Sequence, residues 1–137
     1  VLHADMLQEL LTDEVKVARD RLGNRIVDLS IANFNVYCRL VVPGAGEFRL
    51  RLAGRSYDAE PFRVSVVNDR DEIQPPHLWP KGLYNGQHLS LGVPFACVRG
   101  TFEYHVHPSH LTDVWERYRH KIRLADLLDH LVRRCDR

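Results

Sequence analysis

The sequence has no apolar run approaching the ~20 residues that span a bilayer, and no secretory pattern at its start, so a soluble chain is expected. It also lacks a charge excess: 19 Lys and Arg stand against 18 Asp and Glu, a net charge of +1. That balance gives no electrostatic case for a nucleic acid or an anionic membrane as partner. The basic run from Trp115 to Arg123 reads as a solvated face. Cysteine is sparse, with three residues and no CxxC spacing, which argues against a disulfide framework and against a zinc ribbon. A reducing cytoplasm fits. With no repeat, low-complexity tract or linker, residues 1–137 read as a single domain, long enough to bury roughly two thirds of the surface its unfolded chain exposes.

What is present begins with a helical stripe. Leu7, Leu10, Leu11, Val15, Ala18 and Leu22 fall on one face, and Gly23-Asn24 stops the pattern. The period then becomes two. Val27, Leu29 and Ile31 share a face, followed by Phe34, Val36, Cys38 and Leu40, then Phe48, Leu50 and Leu52, then Phe62, Val64 and Val66. Breaks near Asn33, at Pro43 to Gly46 and at Gly54 to Pro61 make this an antiparallel meander of about four strands. Cys38 lies in the apolar phase and reads as a small buried hydrophobe. Near the end, Thr112 or Asp113 is a candidate cap for a turn carrying Val114, Trp115 and Tyr118. Leu124, Leu127, Leu128 and Leu131 then make an amphipathic helix, with Arg133 and Arg134 on its outer side and Cys135 in its last turn, read as incidental. The fold class is therefore α+β.

Between these parts lies Pro75 to His110, which holds five of the seven prolines, five of the eight histidines and Cys97. It is too broken by Pro and Gly for regular structure, and loops of this length in a compact domain usually carry function. In it, Cys97 reads either as a nucleophile or as a buried residue of an apolar strand. His105, His107 and His110 read either as a three-nitrogen face for zinc with one position open or as hydrogen-bonding histidines near the thiol.

Particular residues add a resemblance. Tyr57-Asp58-Ala59-Glu60-Pro61-Phe62 resembles the Tyr-x-Gly-Gly-x-Phe entry to the fourth strand of ubiquitin-conjugating enzymes, and Pro75-Pro76 resembles the double proline after that strand. Lys81-Gly82-Leu83-Tyr84 is similar to the run into their His-Pro-Asn motif. Gly92 to Val98 resembles the segment whose cysteine carries the thioester, and Trp115 with the Leu124 to Leu131 helix resembles the family's Trp and helix beyond that cysteine. Two departures stand out: Asn85-Gly86-Gln87-His88 replaces His-Pro-Asn, and seventeen residues separate Cys97 from Trp115. Both resemble divergent bacterial members of the family.

The resemblance implies a ubiquitin-conjugating-like fold with an N-terminal helix, a four-stranded meander, an irregular active-site segment and a C-terminal helix. It implies that Cys97 accepts a ubiquitin-like protein from an activating enzyme and passes it to an amine, with no cofactor required. A deconjugating metallopeptidase is a further expected partner. His88 and Asn85 are the positional candidates for the oxyanion donor or general base, and His107 for assisting transfer to the amine. A non-catalytic module of the same fold, or a metal protein using His105, His107 and His110, are the alternatives.

Overall fold

The computed structural model describes residues 2–136. It is an α+β arrangement of a long helix, a four-stranded antiparallel sheet, an irregular segment and a closing helix. Helix α1 (Ala4–Leu22) buries Leu7, Leu11, Val15, Ala18 and Leu22. The His3 side chain accepts from Asp5 N–H at its start, and Gly23 ends it with φ +54°, a conformation that carries little penalty only without a side chain.

Strands β1 (Asp28–Ala32), β2 (Asn35–Val42), β3 (Gly46–Ala53) and β4 (Arg63–Val66) pair in sequence order, each antiparallel to the next. The β1–β2 turn is tight, with Asn33 and Phe34 both at positive φ (52° and 64°), the primed geometry that suits the strand twist. Register aligns Leu29 with Cys38 and Leu50, and Val36 with Leu52 and Val64. One face is thus apolar throughout, as period two requires. Val27 departs from the expected strand: it lies before β1 and is exposed, with only its N–H joined to Arg39 O. On the outer face the loop after β4 supplies counter-charges. Asp69 meets Arg39 at 2.7 Å, Asp71 meets Arg51 at 3.3 Å, and Arg49 lies 4.1 Å over the Tyr37 ring.

Helix α3 (Leu124–Cys135) packs beside α1 over the apolar face, burying Leu124, Leu127, Leu128, Leu131 and Val132. Cys135 corrects the sequence reading, because it is buried in the core and not in a fraying turn. Polar contacts align the two helices: Glu14 accepts from Leu124 N–H, Arg21 meets Asp126 at 2.7 Å and Arg25 meets Asp129 at 2.6 Å. The turn at Trp115–Arg117 has no side-chain cap, so neither Thr112 nor Asp113 serves as one. Trp115 instead anchors the segment by donating its indole N–H to Asp58 O at 2.9 Å. No helix among the described residues is long and apolar enough to cross a membrane.

Candidate active site around Cys97

The irregular segment leaves the sheet at Pro75, makes a 3-10 turn at Pro76–Leu78 and buries Trp79, whose indole N–H reaches Gln74 O at 2.8 Å. A small hairpin comes next. Asn85 N–H donates to Phe95 O, Phe95 N–H to Gly86 O, and His88 N–H to Val93 O. It returns the chain to the core at Phe95 and Ala96, both 1 % exposed. Cys97 is half-buried, and Val98 after it is buried again. Val98 N–H returns to Ala96 O at 3.1 Å, a tight turn centred on Cys97 that buries Ala96 and Val98 and leaves the thiol partly exposed.

Beyond Cys97, Gly100 takes φ +102°, and a Cβ there would lie 2.8 Å from Ile122 Cγ2. Thr101 caps the short helix α2 (Phe102–His105) by accepting from Tyr104 N–H. Phe102 N–H donates to Phe62 O, and the Glu103 carboxyl accepts from Val64 N–H at 3.0 Å, covering the edge of β4. Burial pushes that carboxyl up to about 7, against the hydrogen bonds that favour its ionised form.

The histidines divide sharply. His88 is 2 % exposed, its Nε2 donates to Glu103 O at 2.8 Å, and its Nδ1 accepts from Ser90 and Leu91 N–H. Both nitrogens are engaged with backbone, so the expected oxyanion donor or base is a brace for the hairpin. His105 is engaged similarly: Nδ1 donates to Asp113 O at 2.7 Å and Nε2 accepts from Gly100 N–H at 3.1 Å. Burial lowers its pKa, opposed by the bond to Asp113. Both of its nitrogens are thus occupied by backbone, and neither is free to join His107 and His110 as a ligand. Among the described residues, no group of three His, Cys, Asp or Glu is poised to hold a metal.

His107 and His110 differ. His107 Nδ1 accepts from Ser109 N–H, which places its proton on Nε2, and its ring stacks on Phe95 at 5.6 Å. Burial, then the neighbouring His88 and His110, lower its pKa, so at neutral pH it offers an N–H donor more readily than a base. The His110 ring lies flat on Tyr104 at 4.1 Å and sets Nε2 3.5 Å from Cys97 Sγ. Asn85 is exposed on the hairpin strand, paired with Phe95 two residues before Cys97.

Tyr104 and Tyr118 donate their hydroxyls to the Asp113 carboxylate, and Arg99 Nε reaches it at 2.9 Å. These three hold that carboxyl well below its usual range. The two-tyrosine clasp fixes the ring against which His110 stacks. Three residues here were not singled out from sequence. His130, Arg133 and Arg134 of α3 join Cys97, Val98 and Arg99 around a cleft of about 220 Å³.

The three thiols are unlike. Burial pushes Cys38 and Cys135 up to about 12. Cys97 is raised by burial as well, with Arg134 opposing, and it alone has both solvent access and an imidazole. In comparison with known proteins, the chain matches no family model and no curated relative.

Proposed function

We propose that the protein is a ubiquitin-conjugating-like enzyme: Cys97 takes the C-terminus of a ubiquitin-like protein from an activating enzyme as a thioester and passes it to an amine. The observation that carries this reading is the half-exposed Cys97 thiol 3.5 Å from His110 Nε2 at the mouth of a cleft, while the other two cysteines are buried. The order of elements supports it too, since the sheet delivers the Pro75 segment and α3 closes behind it.

In loading, the Cys97 proton passes to His110 Nε2 as Sγ attacks the incoming thioester carbonyl. The tetrahedral adduct then expels the activating enzyme's thiolate, which regains a proton. In discharge, an amine attacks the Cys97 thioester, loses a proton to His110 or solvent, and Cys97 leaves as thiolate. The His107 Nε2–H and the Asn85 amide are the candidate donors to the developing oxyanion. The chemistry needs no cofactor. Action in the cytoplasm and reversal by a deconjugating metallopeptidase belong to the same proposal. A zinc-bound form on His105, His107 and His110 would require His105 to give up two backbone hydrogen bonds.

The second reading, a non-catalytic module of this fold, draws on the upward push on the Cys97 thiol and on the engagement of His88. One experiment separates them. Incubation with the cognate activating enzyme, ubiquitin-like protein and ATP should give a reductant-sensitive adduct that Cys97→Ala abolishes and Cys38→Ala spares. An adduct that survives Cys97→Ala, or none with the parent, rejects the enzyme.

A further inference from the structure

We propose that Arg134 is the positioning residue of the Cys97 site, holding the Cys97 backbone and placing an uncompensated positive charge beside its thiol. The proposal rests on the reading of Cys97 as the reacting group. Arg134 lies in the last turn of α3, and its Nη2 donates to Cys97 O at 3.1 Å. That bond ties the end of the closing helix to the one residue of the irregular segment whose thiol is accessible. Arg134 also lines the cleft that opens on Cys97.

Charge distinguishes it from its neighbours. Arg99 is paired with Asp113 at 2.9 Å and Arg133 with Asp129 at 2.7 Å, so their charges are largely answered. Among the described residues Arg134 makes no ion pair, and its Nε is buried without a hydrogen-bond partner. A buried guanidinium N–H left unpaired costs stability. The guanidinium on the Cys97 carbonyl and at the wall of the cleft sets its charge close to the thiol. Moving the Sγ proton to His110 Nε2 leaves a thiolate in a half-buried site, which burial disfavours and a nearby cation favours. Arg134 acts on Cys97 through charge and backbone placement and takes no proton itself.

The test is the pH dependence of alkylation by iodoacetamide, resolved for each cysteine by peptide mass spectrometry, in the parent, Arg134→Gln and Arg134→Lys. Arg134→Gln should slow Cys97 alkylation by up to about fivefold near pH 7, the upper end of what a half-exposed charge pair supplies. The curves should converge at high pH, where the thiol is ionised regardless. Arg134→Lys should recover most of the loss. Superimposed profiles with a reactive Cys97 overturn the role of Arg134 and leave the thiol reading standing. A parent Cys97 unreactive at every pH removes that reading, and this proposal with it. Should Arg134→Gln open the core, alkylation of Cys38 and Cys135 reports it, and Arg134→Met, which keeps the apolar stem and removes the charge, takes its place. A Met profile displaced to higher pH than that of Arg134→Lys supports the charge role, and coincident profiles overturn it.

Discussion

The sheet with its two helices and the segment from Pro75 to Arg123 satisfy their backbones by different means. In the first region, strand ladders and helical turns pair the peptide groups, and side chains are left to pack: Leu29, Val36, Cys38, Leu50, Leu52 and Leu128 belong to one apolar cluster. In the second region regular pairing is scarce, and side chains take the place of a ladder. His88 holds three backbone groups of the hairpin and α2, His105 joins Gly100 to Asp113, and Thr101 caps α2. A histidine-rich loop is not by that fact a reactive one. Two of its histidines, His88 and His105, are structural cross-links, whereas His107 and His110 keep a ring nitrogen to offer beside Cys97.

The largest effect expected belongs to the regular region. Leu128→Ala should cost about 2–5 kcal/mol, the range for deleting a fully buried leucine side chain, read by urea unfolding. A loss below about 1 kcal/mol would mean that the α3 stripe does not fill the core between α1 and the sheet.

Next comes a pair that sets one half of the irregular segment against the other. His88→Ala strands the buried Glu103 carbonyl, removes the acceptor of the Ser90 and Leu91 N–H groups and empties a 2 % exposed site, and should cost about 2–3 kcal/mol. His110→Ala should cost under about 1 kcal/mol, because it removes one ring from a half-exposed stack, yet slow the alkylation of Cys97 near pH 7. Equal stability losses, or an unchanged thiol in His110→Ala, would erase the distinction between brace and reactive partner.

The last effect is a pH dependence where the two regions meet. Glu103 stands at about 7 in the folded protein against 4.5 ordinarily, so folding favours its protonated form. Its contribution is full below about pH 4.5, declines as pH rises through about 7 and is absent above, on the order of 3 kcal/mol. Glu103→Gln keeps an acceptor for Val64 N–H and should remove that decline. Identical stability–pH curves for the parent and Glu103→Gln would show that folding leaves the carboxyl's pKa unchanged.

Legibility in the sequence divides along the same line. Period two placed Val36, Cys38, Leu50, Leu52 and Val64 on one face, and period 3.6 placed Leu7 to Leu22 and Leu124 to Leu131 against them, because burial repeats with the geometry of the element. The pattern misled at its ends: Val27 continues the alternation in letters but precedes the strand, and Cys135 continues the stripe of α3 into the core. In the irregular segment Cys97 and the histidines were visible as residue types, but their roles were not. Whether a ring nitrogen meets a backbone group depends on loop geometry that has no period. His88 and His110 are alike in sequence, with opposite hydrogen-bonding states in the fold. Arg134 was read as outward-facing because a helical wheel shows which side is polar, and cannot show that its end lies against Cys97.

The most direct test of this division is a long-range ¹H–¹⁵N correlation spectrum of the histidine side chains near neutral pH, with and without Cys97→Ala. The expected spectrum has His88 fixed with its proton on Nε2 and His105 fixed with its proton on Nδ1, both unmoved by the substitution, while the His110 nitrogens shift. Solvent-averaged tautomers for His88 or His105, or a His110 indifferent to loss of the thiol, would contradict the division into braces and reactive partner.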